Sequence, residues 1–301
     1  MSRVPSMVVT AFLKEVRIIF MFIENDIWDT IIPCLLTFIA AFVYNHKPLA
    51  EFPLALLSSI IYAILYILTF CVCNQLEGVE EDRVNKPYRP LVTGLLTVTA
   101  ARKRNIIYNI LFLLAALWLK VFWFAVGWQV ITLMLCRWGF SNHWYLKNVF
   151  CITLGTIMLL GAMWSIISPI NREVWNFIGL LSLWAGLGLP LQDLRDVEGD
   201  RLMNRKTLPL AIGDTNSRML LSAHLSALSP IIYTCVLVTQ SAGLADVMRN
   251  KLLVTMALLQ VLWHWSIALR LWLYRTPRED DTTYHWFVYL FCVTIPLVCF
   301  L

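Results

Sequence analysis

The sequence predicts an all-α integral membrane protein, a bundle of nine transmembrane helices with two acidic motifs on its cytosolic side. Three observations predict it. Of the 301 residues, 59% are hydrophobic and only 14% charged, and the mean hydropathy is +0.70; a soluble domain has no use for so much apolar surface. The apolar residues gather into runs long enough to cross a hydrocarbon layer, separated by short polar loops. Finally, Lys and Arg alternate between rich and poor loops, as in a chain that threads back and forth.

Residues 7–25 (MVVTAFLKEVRIIFMFIEN) contain Lys14, Glu15, Arg17 and Glu24. They are too charged for a span or a cleavable leader and predict an interfacial amphipathic helix, within an N-terminal segment 1–26. Spans are expected at 27–45, 53–73, 105–119, 121–138, 148–167, 174–191, 217–240, 251–273 and 284–301. Only the region of Lys120 separates the third from the fourth, so one long tilted helix is the alternative there. Little chain remains between the runs, and a single domain, 1–301, is expected. The N-terminus and the loops after even-numbered spans hold 19 of the 24 Lys and Arg, and the other loops hold 5. This bias places the N-terminus and the two long charged loops, 74–104 and 192–216, in the cytosol. The endoplasmic reticulum is the expected membrane. The net charge of +5 calls for no nucleic acid, and the eight Cys form no CxxC pair that would suggest zinc.

The second charged loop begins Asp193-Leu-Arg-Asp-Val-Glu-Gly-Asp200. On a regular helix Asp193, Asp196 and Asp200 fall within an arc of roughly 60°, with Glu198 and Arg195 pointing elsewhere. Like charges at this spacing repel, so a cation must gather them. Oxygen-only ligands suit Mg²⁺, which pairs carboxylates with substrate phosphates.

The first charged loop reads NQLEGVEEDRVNKPYRPLVTG, residues 74–94. Asn74, Gly78 and Asp82 occupy one helical face, Asn and Asp offering oxygens and Gly78 leaving room. Pro87 and Pro90 end the helix. Lys86 and Arg89 follow, a point charge and a planar fork suited to phosphate oxygens. Alone, such a stretch also reads as a loop charged for topology. Together the two motifs make a site with acidic walls and a basic lid above an apolar cavity, which is what a lipid diphosphate ester requires.

These residues carry a resemblance. The chain resembles the UbiA superfamily of intramembrane prenyltransferases over nearly its whole length. DLRDVEGDRLMNRKTLPLAIG is similar to the family's DxxDxxGDxxxGxxTLP, with Asn204 in place of Gly. The resemblance implies Asp193, Asp196 and Asp200 as Mg²⁺ ligands and Arg205 and Lys206 as diphosphate contacts. The family's first motif, NDxxDxxxD, would place acids at 75, 78 and 82, where this chain has Gln75, Gly78 and Asp82. Asn74-x₃-Gly78-x₃-Asp82 is instead similar to the Asn/Ser/Glu metal triad of soluble class I terpene cyclases. The NKPxRP ending and ENDIWDTIIP (24–33) resemble the fungal UbiA-type sesquiterpene cyclase branch. The resemblance thus implies Mg²⁺-dependent ionisation of an isoprenyl diphosphate, farnesyl diphosphate foremost, with cyclisation to a terpene hydrocarbon and release of diphosphate. Asp82, Asp193, Asp196 and Asp200 would be the catalytic acids, with Asn74 beside them as a metal ligand. The alternatives are prenyl transfer to an aromatic or quinone-precursor acceptor, and a non-catalytic carrier of lipid diphosphates.

Other residues have two readings each. Tyr66 and Phe70 precede Asn74 by eight and four positions; they serve either as a prenyl pocket that stabilises an allylic cation or as helix packing. Lys147 opens span five in the same layer, where the family often has basic residues, and is a further diphosphate candidate. His264, in mid-span, is either a proton acceptor or a packing residue. The direction of Trp184 depends on a bend at Gly186, Gly188 and Pro190. His285 and Glu279–Asp281 read as a solvated loop, and Trp28, Trp138, Trp144, Trp175 and Trp286 as interfacial anchors.

Overall fold

The structure is a computed structural model that describes residues 4–239, 241 and 243–300. Residues 1–3, 240 and 301, which the expected N-terminal segment and the seventh and ninth spans include, lie outside the described residues. The described residues form helices and no strand. Seven helical stretches are long and apolar enough to cross a membrane: Val9–Tyr44, Leu49–Glu77, Tyr145–Ser165, Arg172–Leu194, Asp214–Val238, Lys251–Leu273 and Pro277–Cys299. The protein is an integral membrane protein of the all-α class.

Helix α1 (Val4–Ile23) leaves the apolar Val9, Phe12, Leu13, Val16 and Phe20 exposed while burying Ile18 and Phe22. Its Glu15 accepts two bonds from Arg104 and one from Tyr108. A tight turn, Glu24–Asp26, and a widened one, Ile27–Ile31, lead into α2 (Ile32–Tyr44), with Pro33 in its first turn. Next come α3 (Phe52–Glu77) and the short α4 (Val79–Asn85). They are followed by α5 (Val98–Trp118) and α6 (Phe122–Cys136). Lys120 takes a left-handed φ of 61° between α5 and α6, and Gln129 reaches back to Asn109 at 3.0 Å. The single long helix considered for this region is therefore replaced by a hairpin of two. Outward, α5 shows Ile106, Ile107, Ile110, Leu111 and Leu114.

A widened helical segment, Tyr145–Ile152, opens α7 (Thr153–Ser165). Asn171 caps α8 (Arg172–Gly188) by accepting from the Val174 N–H at 2.8 Å. The chain then tightens at Pro190 into a 3₁₀ stretch, Leu189–Leu194, before α9 (Val197–Leu202). The regular helix expected through Asp193–Asp200 is thus broken at Arg195–Asp196. A short α10 (Leu208–Ile212) follows, then α11 (Asp214–Ala223), α12 (Ser229–Thr239), α13 (Leu244–Arg249) and α14 (Lys251–Leu273). Last is α15 (Pro277–Thr294), capped by Thr276.

The main core joins α2, α7, α8, α14 and α15 around Trp164, Trp184, Phe177, Leu181 and Phe287. A second joins α3, α5, α6 and α7 around Tyr62, Tyr66, Phe112 and Trp128. Between them the helices leave the cavity described below. Gly188 makes this approach possible, because a Cβ there would sit 2.1 Å from the Phe287 ring. Trp28, Trp138, Trp175 and Trp286 are exposed, as anchors would be, whereas Trp144 packs on the main core.

One reading is corrected, and one is decided between its two alternatives. Glu279–Asp281 is the first turn of α15 and not a solvated loop: Asp280 is buried and takes two 2.7 Å bonds from buried Arg218 of α11. His264 receives the Trp184 indole N–H on Nε2 at 3.1 Å, and its Nδ1 lies 2.7 Å from the Gln260 carbonyl. Both ring nitrogens are engaged within the core, so His264 and Trp184 are packing residues.

Candidate active site

The two acidic motifs meet at one end of the bundle. Gly78 separates α3 from α4, so Asn74 and Asp82 belong to different helices, although the i→i+4 bonds Gly78–Asn74 and Asp82–Gly78 persist at 2.9 Å. Facing them, α9 packs against α4 with Gly199 under Asn85; a Cβ at 199 would lie 2.2 Å from Asn85 Nδ2. The amide of Asn85 donates to the Asp196 carbonyl at 3.4 Å. Arg205 closes the junction, 2.8 Å from Glu81 and 2.9 Å from Asp200.

A cavity of about 200 Å³ opens beside this junction. Its mouth is charged. Lys86, Arg89, Lys147, Arg195 and Arg205 supply cations, and Asp26, Asp29, Glu81 and Asp196 supply carboxylates, with Asn74 and Gln192 among them. Its deeper wall is apolar and aromatic: Tyr66, Phe70, Trp128, Leu159, Phe287 and Phe291. Tyr66 and Trp128 stack at 4.1 Å between ring centroids and 12° between planes. The Tyr66 hydroxyl donates to the Gly155 carbonyl and the Trp128 indole to the Tyr66 carbonyl, both at 2.8 Å. With their polar atoms engaged elsewhere and one face of each ring covered by the other, the pair contributes its remaining aromatic surface to the wall.

Of the residues singled out from the sequence, Asn74, Lys86, Arg89, Lys147, Asp196, Arg205, Tyr66 and Phe70 line this cavity. Asp82, Asp193 and Asp200 stand behind it, each tied to a lining cation. Asp82 is 2.7 Å from Arg89. Asp193 is 2.7 Å from Lys147 and accepts from Asn148 at 3.0 Å. Asp200 is held by Arg205, and its Oδ2 remains buried without a hydrogen bond. Lys206 is exposed and outside the cavity lining; its backbone instead joins the 142–144 loop. Arg195, expected to point away, lines the cavity because the helix breaks beside it. There it pairs with Asp196 at 3.5 Å and with Asp281, and lies 4.6 Å from the Tyr284 ring centroid. Asp26, Asp29, Trp128 and Tyr284 were not singled out as site residues. The polar pair Asp26 and Asp29, spaced one turn apart at the head of an apolar run, was the available signal.

Burial works to raise the Asp196 carboxyl, but Lys86 and Arg195 outweigh it and hold the group below the ordinary carboxylate range. For Asp82 the desolvation is larger than the pull of Arg89 and Lys86, and its carboxyl is pushed up.

Among the described residues no three His, Cys, Asp or Glu side chains form a ready metal-ligand set. The donor chemistry nevertheless fits a hard divalent cation: the acids offer only oxygens, and the Asp200 Oδ2 is a buried acceptor with nothing to accept.

The model of the UbiA prenyltransferase family matches residues 31–293. The chain belongs to this family. Among curated UbiA-type relatives, somaliensene A/B synthase of Streptomyces somaliensis is 35% identical, over 90% of this chain and 88% of that protein. The diterpene cyclase eriG of Hericium erinaceus is 33% identical, over 94% and 87%. The polyprenyl transferase eriF of the same fungus is 31% identical, over 94% of both. Among solved structures, a UbiA homolog from Archaeoglobus fulgidus bound to DMAPP and Mg²⁺ superposes with a TM-score of 0.65 at 19% identity, over 94% of this chain and 99% of that one. At that identity the likeness establishes the fold.

Proposed function

We propose that this chain is an intramembrane terpene cyclase, which ionises an isoprenyl diphosphate and closes the resulting cation into a cyclic hydrocarbon. The observation that carries the reading is the division of one cavity into a charged mouth and an aromatic floor. The mouth suits a diphosphate and the floor a folded prenyl chain. Cyclase relatives at 35% and 33% identity support it.

Asn74, Asp82, Asp193, Asp196 and Asp200 would hold Mg²⁺, which when bound offsets the negative charge of the departing diphosphate. Five cations on the lining face four carboxylates, with three more carboxylates behind. An anionic substrate therefore enters a site that is itself acidic, and a divalent cation resolves the conflict. Lys86, Arg89, Lys147 and Arg205 bind diphosphate oxygens, stabilising them more as charge develops than in the intact ester. Tyr66, Phe70 and Trp128 face the cation left behind and exclude water from it. We place nine crossings in one domain in the endoplasmic reticulum membrane, with both motifs cytosolic.

Purified protein with Mg²⁺ and farnesyl diphosphate alone should release a cyclic hydrocarbon, read by gas chromatography–mass spectrometry. Geranylgeranyl diphosphate is assayed beside it, because one relative is a diterpene cyclase. The second reading, prenyl transfer, is favoured by the 31% identity to a polyprenyl transferase. A mixture that stays inert until an aromatic acceptor is added, then yields a prenylated aromatic, would overturn the cyclase. Substrate bound but unchanged in every mixture would leave the carrier.

A further inference from the structure

A cyclase cascade ends when the last carbocation loses a proton, and something in the cavity must take it. Few lining groups can. The Tyr66 hydroxyl and Trp128 indole are donors already committed to carbonyls, and the Thr156 hydroxyl donates to the Ile152 carbonyl. His264 lies outside the lining and has both nitrogens engaged. Glu81 and Asp196 are bound by Arg205 and Arg195 at the mouth. Asp26 accepts the Cys71 thiol at 3.3 Å.

Asp29 differs from all of these. It follows Asp26 by one helical turn, towards α2 and the membrane interior, and it lines the same cavity. Its Oδ2 accepts the Tyr284 hydroxyl at 2.6 Å, while its Oδ1 is buried and takes no hydrogen bond. Tyr284 in turn stands on the α15 face that continues, one and two turns deeper, into Phe287, Val288 and Phe291 of the apolar wall. Arg195, over the Tyr284 ring, places positive charge nearby. The Asp29 carboxylate is therefore oriented at one oxygen, unpaired at the other, and located where the charged mouth gives way to the aromatic floor.

We propose that Asp29, oriented by Tyr284, is the base that accepts the terminal proton of the cyclisation. This rests on the cyclase reading above. In the step, a C–H bond beside the cationic carbon breaks and its electron pair becomes the new C=C bond. The proton goes to Asp29 Oδ1. Diphosphate then carries the proton away as it leaves, restoring the carboxylate.

The test follows diphosphate release and hydrocarbon products separately, in the wild type, Asp29→Asn and Tyr284→Phe. If Asp29 is the base, Asp29→Asn still releases diphosphate, while deprotonation slows by roughly a hundredfold. The wild-type alkene then gives way to alcohols formed by water capture or to alkenes from earlier cations. Tyr284→Phe, which keeps the ring and removes only the orienting hydroxyl, shifts products the same way to a smaller extent. An unchanged product profile in Asp29→Asn overturns the proposal, and so does loss of diphosphate release, which would put Asp29 in the ionising step. Failure of the wild type to form any hydrocarbon from a prenyl diphosphate alone would instead overturn the cyclase reading.

Discussion

Arg205 lies 2.8 Å from Glu81, an ion pair that fastens the second acidic motif to the first across 124 residues of chain. Both side chains are mostly buried, at 12% and 16% exposure, so the pair is shielded from competing water and salt. Since Arg205 also holds Asp200, loss of Glu81 unmoors a cavity-lining cation as well as a contact. Glu81→Gln is expected to lower stability by about 2 kcal/mol and to reduce turnover. Thermal unfolding in detergent, beside diphosphate release, checks both. An unchanged midpoint would show that the motifs are held together by packing alone.

The same junction depends on the absence of a side chain at 199. A Cβ there would lie 2.2 to 2.9 Å from three atoms of the Asn85 amide. Gly199→Ala should therefore push α9 off α4 and destabilise by roughly 1–3 kcal/mol. Adding Asn85→Ala removes the obstacle, and the double variant should recover much of the lost midpoint. A double variant no better than Gly199→Ala would place the clash elsewhere.

The pH response should be set in part by Asp196. Its carboxyl lies below the ordinary range in the folded protein, so its contribution to stability is complete above the unfolded value, about 3.9. That contribution is lost as pH falls through the lower folded value. Lys86 is the largest influence holding the group down against burial. Lys86→Met should thus move the acid-side midpoint of thermal stability upward. A midpoint that stays in place would show that Arg195 and Lys147 suffice.

The aromatic wall gives a prediction about chemistry. Removing one ring facing a desolvated cation forfeits about 2 kcal/mol, or roughly thirtyfold in the rate of the step it assists. Tyr66→Leu should slow turnover to about that extent or redirect products. Tyr66→Phe, which keeps the ring and loses the bond to the Gly155 carbonyl, should be milder. Equal losses in the two variants would make the hydroxyl anchor, and not the π face, the part that matters.

Much of this was legible from residue order alone. Apolar runs anticipate the membrane helices, and i,i+3 and i,i+4 carboxylates anticipate the charged end of the cavity. What escaped depended on departures from regular geometry or on distant partners. One regular helix through Asp193–Asp200 would turn Arg195 away; instead a 3₁₀ stretch with Pro190 in its first turn intervenes, and Arg195 turns into the cavity with Asp196. Asp29 gains its setting from Tyr284, 255 residues away. Asp280 looks solvated beside Glu279 and Asp281 until Arg218 is brought against it.

That last pair bears on how the protein is made. During synthesis Arg218 emerges 62 residues before Asp280, with only half-exposed Asp214 on its own helix to accompany it. Until α15 arrives, α11 carries a cation that the lipid interior resists. The two helices should therefore settle as a unit, late in biogenesis. A nascent chain stopped between α11 and α15 would keep Arg218 and lack Asp280, and should be held at the translocon or cleared by quality control.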